Sequence, residues 1–91
     1  VAFILTDVNT KAYGEALKAQ LEKSAVAVHL FTVPPGEETK SFEWFEKTLD
    51  WMLDQQVTRQ SVLFAVGGGV VGDLGGFAAA SVLRGIDFRY V

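Results

Sequence analysis

The residues with the clearest chemical potential are three consecutive glycines, Gly67, Gly68 and Gly69. The apolar run at 62–66 before them predicts a buried strand, and the small-residue pattern at 70–83 after them predicts a helix. Glycine lets the backbone approach an anion, and the free N–H groups and dipole of a first helical turn favour negative charge. The stretch therefore predicts a phosphate cradle and suggests that a nucleotide binds there.

The same glycines satisfy the pattern G-x-G-x-x-G through Gly67, Gly69 and Gly72, which alone is weak evidence for a dinucleotide site. The usual fingerprint follows the first strand of the fold, whereas this one follows the third. Asp87 comes about twenty residues later, but it begins a predicted strand and is discounted as a ribose ligand. A tight turn with close helix–sheet packing also requires glycine, so both interpretations stay open.

Four charged residues near predicted strand or helix ends each have two interpretations. Asp73 is the only charge within 62–83, and it either lies in a first helical turn or lines a ligand crevice. Glu37 and Lys40, three residues apart, favour a surface ion pair, with a clamp on a nucleotide ribose as the alternative. Arg84, before Gly85, fits a cation at a capped helix C-terminus and equally a phosphate ligand.

The pattern along the chain predicts alternating strands and helices. Strands are expected at 2–6, 26–33, 62–66 and 87–91. Helices are expected from Asn9 or Thr10 to about 22, with Tyr13, Leu17 and Leu21 on one face, and at 41–55 and 70–83. This order predicts an α/β fold, an open doubly wound and mostly parallel sheet of Rossmann-like type that forms part of a domain. Ligands of such sheets bind at the carboxyl ends of the strands, here 7–9, 34–40 and 67–73.

Other motifs favour structural roles. Gly75, Gly76 and the alanines at 78–80 indicate close packing of a buried helix. His29, the single histidine, cannot form a metal site. Trp44 and Trp51 lie seven residues apart and share one helix face. The other large apolar residues of that helix lie on roughly the opposite face: Phe42, Phe45, Leu49, Met52 and Leu53. We therefore expect the tryptophans to contact another part of the protein or a second subunit.

Composition limits the class of protein. Of 91 residues, 49% are apolar and 21% are charged, which indicates a globular domain. The net charge of −3 provides no basic field, so neither nucleic acid nor a membrane surface is an expected partner. The lack of cysteine fits a cytoplasmic protein. Both ends lie within apolar runs and there is no initiating Met, so we expect a fragment.

Three motifs of the sequence together resemble those of a known family. The stretch GGGVVGDLGGFAAASVLRGIDF, preceded by PPGEETKS and DVN at the expected intervals, is similar to 3-dehydroquinate synthase. The resemblance covers almost the whole chain. It implies an N-terminal NAD-binding domain followed by a helical domain that holds a divalent metal, zinc or cobalt. The family, a lyase of the shikimate pathway and aromatic amino acid biosynthesis, uses NAD to eliminate phosphate from a heptulosonate phosphate and form a carbocycle.

The resemblance also implies roles for individual residues. Near the nucleotide it implies three groups that bind NAD: Asp7 and Asn9 at the first strand end, Glu37 and Lys40 at the adenosine ribose, and Gly68, Gly69, Val70 and Gly72 at the pyrophosphate. Asp73 corresponds to an acidic residue beside the nicotinamide half. Arg84 corresponds to an arginine that reaches the substrate phosphate, in family dimers apparently in the neighbouring subunit's site.

The expected whole protein is thus a homodimer acting on a sugar phosphate. No catalytic residue and no metal ligand of the family falls within this chain, so the chain alone is expected to be inactive. Three alternatives stay open: another sugar phosphate cyclase that makes an inosose or valiolone, an iron-type alcohol or glycerol dehydrogenase, and an inactive NAD-domain fragment.

Overall fold

Four parallel strands form the centre of the molecule, which a computed structural model describes over residues 1–91. They are β1 (Ala2–Asp7), β2 (Val28–Val33), β3 (Val62–Val66) and β4 (Asp87–Tyr90). Their order across the sheet is β2-β1-β3-β4, and every neighbouring pair is parallel. The chain leaves β1 toward β2 and later returns past β1 to β3, so the winding direction reverses between β1 and β3. The predicted doubly wound α/β fold is confirmed.

Three helices connect the strands: α1 (Lys11–Glu22), α2 (Phe42–Asp54) and α3 (Gly69–Ser81). Their bounds lie within two residues of those predicted. Two short 3₁₀ turns, Glu37–Thr39 and Val82–Arg84, were not predicted. Helix α3 ends two residues before its predicted end, because the backbone is already extended at Val82 (ψ 132°) and then turns into the left-handed region at Leu83 (φ 49°). No residue before Gly85 is of a type that predicts this turn.

The helices cover the two faces of the sheet unequally. Leu17 and Leu21 of α1 pack on one face, against a small cluster formed by Ala2, Ile4, Val28 and Val66. Helices α2 and α3 cover the other face, where the larger core includes Phe3, Leu5, Met52, Leu63 and Leu74. The two starts of α2 and α3 therefore lie at the same edge of the sheet, next to the carboxyl ends of β2 and β3.

The face of α1 that packs on the sheet includes only two of the three residues predicted to share a face. Tyr13 is 72% exposed, whereas Gly14 is buried in the first turn. A methyl group on Gly14 would come within 3.3 Å of the Leu30 side chain and would overlap that of Thr6. The helix therefore rests on the sheet through Gly14, which turns Tyr13 outward. A pattern of large apolar residues cannot reveal a contact made by glycine.

The premise of the prediction for Trp44 and Trp51 was wrong, because both pack on the core of this chain. Their contact with another part of the protein or a second subunit stays a prediction. Trp51 packs edge-on against Phe3 with ring centroids 5.2 Å apart, and it stacks on Phe31 at 5.1 Å. Trp44 also packs on the core. The centre of the buried face is Thr48 and Met52, with both tryptophans on one flank and two core-packed residues, Phe45 and Leu49, on the other. The face is thus wide enough to include both flanks.

Candidate functional site

The glycine turn lies at the carboxyl end of β3, as predicted. Gly67 follows the strand, Gly68 is the N-cap residue of α3, and Gly69 is the first residue of that helix. A side chain on Gly67 would come within 3.0 Å of Val71 and 3.2 Å of the Thr10 hydroxyl. Close packing thus explains why Gly67 is glycine.

Gly68 and Gly69 have no such reason within the chain. A Cβ atom on either would meet nothing within 4 Å. Neither residue has a positive φ, and that of Gly68 is −78°. The fold would accept a larger residue at both positions, so the open space in front of them is the feature that glycine preserves. The first N–H groups of a helix lack intrahelical partners, so this space suits an anion such as a pyrophosphate.

Gly72, one turn further along α3, is explained by packing instead. A Cβ atom there would lie 2.9 Å from the Tyr90 ring. The Tyr90 hydroxyl in turn donates a hydrogen bond to the Gly67 carbonyl at 3.2 Å. Gly75 is similarly confined, by Phe88 and Ala65, as the packing interpretation predicted. Of the four residues predicted at the pyrophosphate, Gly68 and Gly69 lie on the open turn, while Val70 is half-buried within the helix.

The end of β1 is tied to the end of β3 by a threonine. The Asp7 carboxylate accepts a hydrogen bond from the Thr10 N–H at 2.9 Å. The Thr10 hydroxyl donates to the Val66 carbonyl at 2.7 Å, which fixes the start of α1 next to the glycine turn. Asn9 is exposed beside them. Sequence reasoning considered Thr10 only as a helix cap, because its partner Val66 lies 56 residues away.

Lys40 and Asp73 meet across the site. Lys40 Nζ lies 3.1 Å from Asp73 Oδ2 and 3.9 Å from Glu37 Oε2. The hydrogen bond to Asp73, and then the charge of Glu37, raise the pKa of Lys40 above its usual value. Asp73 is the fifth residue of α3 and lies in its second turn, so the prediction of a first-turn carboxylate was wrong. The ion pair expected between Glu37 and Lys40 is present, but the shorter one joins Lys40 to Asp73.

A cleft of about 360 Å³ opens beside this ion pair, between the first turns of α2 and the middle of α3. Four of its seven lining residues are apolar, and the ring centroids of Phe45 and Phe77 lie 4.5 Å apart. The lining residues are Lys40, Ser41, Phe42, Phe45, Asp73, Leu74 and Phe77. The sequence did not predict this cleft, because its walls come from two helices whose apolar residues were assigned to packing alone.

Arg84 lies apart from these groups. It is exposed in the 3₁₀ turn that follows α3, three residues beyond the last helical residue Ser81. Its φ of 67° places a non-glycine residue in the left-handed region, between Leu83 and Gly85, which also have positive φ. Gly85 caps this short turn rather than α3 itself, so the prediction that Arg84 ends the long helix was wrong.

The chain contains neither a cluster of metal ligands nor a helix that could span a membrane. No group of three or more His, Cys, Asp or Glu side chains could hold a metal ion, so the residues of this chain do not fit a metal centre. His29 lies in β2 with its ring 5.4 Å from that of Phe3. None of the helices has the length and apolar character needed to cross a membrane.

Comparison with known proteins identifies the family. The family model described as 3-dehydroquinate synthase N-terminal matches residues 30–91, more than half of the chain. The chain belongs to the 3-dehydroquinate synthase family. A 3-dehydroquinate synthase of Clostridium beijerinckii is 48% identical over 87 residues, which are 94% of this chain and 25% of that protein. One of Enterococcus faecalis is 42% identical over the whole chain and 25% of its own length. The chain thus spans about a quarter of these relatives.

Solved structures of related cyclases share the fold. A 2-epi-5-epi-valiolone synthase from Streptomyces hygroscopicus, solved with NAD+ and Zn2+, superimposes with a TM-score of 0.84 at 31% identity. The match covers 98% of this chain and 26% of that protein. A 2-deoxy-scyllo-inosose synthase, solved with carbaglucose-6-phosphate, NAD+ and Co2+, gives a TM-score of 0.88 at 24% identity. The match covers 99% of this chain and 25% of that protein. At this sequence identity the similarity supports the fold alone.

Proposed function

We propose that residues 1–91 are part of the NAD-binding domain of a 3-dehydroquinate synthase. The observation that carries the proposal is the open turn at Gly68 and Gly69, where the fold itself gives no reason for glycine. This turn lies at the N-terminus of α3 and at the carboxyl edge of a parallel sheet, beside the point where the winding reverses. A dinucleotide whose pyrophosphate approaches this turn accounts for both glycines.

The remaining residues fit parts of the same cofactor. Lys40 and Glu37 follow β2, the strand at the far edge of the sheet, and would hold the adenosine ribose. Asp7 and Asn9 follow the central strand β1 and would lie near the nucleotide. Val70 and Gly72 would support the pyrophosphate turn from within α3. NAD, when bound, supplies a transient oxidation of a ring alcohol, which acidifies the neighbouring C–H so that phosphate can be eliminated.

The complete protein would then convert a heptulosonate phosphate to dehydroquinate as a phosphate-eliminating lyase. Arg84, exposed beyond α3 and outside every ion pair of the chain, would bind the substrate phosphate through its guanidinium fork. The divalent metal would have to be held by residues outside this chain. A cytoplasmic homodimer is the assembly that the family resemblance implies.

Turnover by the full-length protein tests this proposal. Phosphate release would be measured with NAD and Zn2+ or Co2+ on three substrates: the heptulosonate phosphate, glucose 6-phosphate for an inosose synthase, and sedoheptulose 7-phosphate for a valiolone synthase. We expect kcat/KM for the heptulosonate phosphate to exceed the other two by at least about tenfold, which corresponds to about 1.4 kcal/mol of transition-state stabilisation. Preference for either other sugar phosphate would assign the protein to that cyclase instead. NAD reduction by a simple alcohol without phosphate release would indicate a dehydrogenase.

A further inference from the structure

Lys40 and Asp73 form an ion pair between two different elements of the fold. It joins the loop after β2 to the second turn of α3, across 33 residues of sequence, with 3.1 Å between Nζ and Oδ2. Glu37 approaches the same ammonium only to 3.9 Å. Lys40 is thus held mainly by a carboxylate of another element rather than by the neighbour in its own loop.

The loop does not need this ion pair for its shape. The Thr39 hydroxyl donates to the Pro34 carbonyl, and Thr39 is fully buried. The Ser41 hydroxyl accepts the Trp44 N–H and caps α2. Both side chains of the ion pair are well exposed, at 44% and 67%, and exposed pairs contribute little to stability. What the pair does fix is the position of the Lys40 ammonium at the edge of the cleft.

We propose that Asp73 is a positioning residue, which holds the Lys40 ammonium in place for the adenosine ribose. An ammonium carries three N–H donors. Asp73 occupies one, and Glu37 is too distant for a good hydrogen bond, so donors remain for ribose hydroxyls. Asp73 thereby acts on the adenosine half of the cofactor through Lys40, whereas the family resemblance implies a position beside the nicotinamide half. This inference rests on the NAD binding proposed above.

Simple electrostatics predicts the opposite effect of removing Asp73. Its carboxylate lies on α3, the helix whose N-terminus would face the pyrophosphate, so its negative charge repels a diphosphate. If charge alone mattered, Asp73→Ala would tighten ADP binding. If Asp73 positions Lys40, the same change weakens ADP binding. The sign of the change therefore separates the two explanations.

The experiment measures dissociation constants of ADP and NAD by calorimetry on the full-length protein. The variants are Lys40→Ala, Asp73→Ala and the double substitution. ADP lacks the nicotinamide, so it reports the adenosine half alone. We expect Asp73→Ala to weaken ADP binding about fivefold or more, and the double variant to bind no more weakly than Lys40→Ala. Unchanged or tighter ADP binding by Asp73→Ala, or fully additive losses, would overturn the inference.

Two further variants guard against a general effect on folding or charge. Glu43→Gln removes the carboxylate from Lys47, a pair with the same 3.1 Å distance and similar exposure of 49% and 69%. It should leave ADP affinity unchanged. Asp73→Glu keeps a carboxylate and should recover part of the lost affinity, even if Asp73→Ala folds poorly. A wild-type protein that binds neither ADP nor NAD would overturn the proposed function itself, whereas normal wild-type binding with no effect at Asp73 overturns this inference alone.

Discussion

At the scale of single residues, the reason for each glycine separates fold from function. Gly67, Gly72 and Gly75 each have a neighbour that a Cβ atom would meet at about 3 Å, so packing accounts for them. Gly68 and Gly69 have open space and ordinary backbone angles. A glycine is conformationally costly, so a position that neither packing nor backbone requires to be glycine points to something outside the chain.

Gly69→Ala should therefore reduce NAD affinity without destabilising the fold. The new methyl group would occupy the space where the pyrophosphate approaches, and an overpacked contact typically costs about 1–3 kcal/mol, which is about fivefold to 150-fold in affinity. The midpoint of thermal unfolding should stay the same or rise slightly, since alanine favours a helix over glycine. NAD titration and a thermal melt on the full-length protein measure both effects.

The matched control is Gly76→Ala on the same helix. A Cβ atom there would lie 3.6 Å from Phe88, an ordinary van der Waals distance, and away from the glycine turn. It should leave NAD affinity unchanged. Equal NAD affinity in both variants and the wild type would mean that the turn at Gly69 does not contact the cofactor.

At the scale of elements, helix α2 packs on the sheet partly through Trp51. Trp51 contacts Phe3 and Phe31 from this helix, so Trp51→Ala should lower the free energy of unfolding by about 2 kcal/mol or more. Phe42→Ala on the same helix is the control, because Phe42 is 80% exposed. Its effect should stay within about 0.5 kcal/mol. Chemical denaturation of the full-length protein compares the two, and similar losses would contradict the assignment of the buried face.

The elements themselves were largely predictable, because each has a strong local signal. β3 has the predicted bounds, since a fully apolar run ends at three glycines. Helix α2 begins after Ser41, whose hydroxyl accepts the Trp44 N–H as an N-cap does. The predicted end of α3 lies two residues too late, because the backbone is extended at Val82 and then adopts positive φ at Leu83 and Arg84, which their residue types disfavour. The residue types at 82–84 give no local signal for such a turn.

The candidate site was predictable in its place but not in its pairings. Parallel strands bring their carboxyl ends to one edge, so the turn at Gly68 and the loop of Lys40 were expected to be neighbours. The bond from Thr10 to Val66 and the ion pair from Lys40 to Asp73 span 56 and 33 residues. The first contact depends on the pairing of β1 with β3, and the second depends on the packing of the loop after β2 against α3.

At the scale of the whole molecule, the residues proposed to bind the cofactor lie together, and no metal site lies beside them. Three features lie at one edge of the sheet: the open glycine turn, the Lys40–Asp73 ion pair and the cleft beside that pair. No cluster of side chains suited to a metal lies near them. The single histidine, His29 of β2, packs beside Phe3 of β1. Binding of the nucleotide and elimination of phosphate are therefore expected to depend on different parts of the complete protein.

The 91-residue chain alone should accordingly release no phosphate from the heptulosonate phosphate, even with NAD and Zn2+ present. The full-length protein under the same conditions should release it, and removal of the metal by a chelator should abolish that activity, because a metal ion stabilises developing charge and this chain has no cluster of side chains that could hold one. A phosphate assay on both proteins, with a buffer blank, makes the comparison, and circular dichroism establishes whether the isolated chain is folded. NAD-dependent release by a folded and contaminant-free 91-residue chain would contradict this division of roles, since the groups described here would then suffice for the whole reaction.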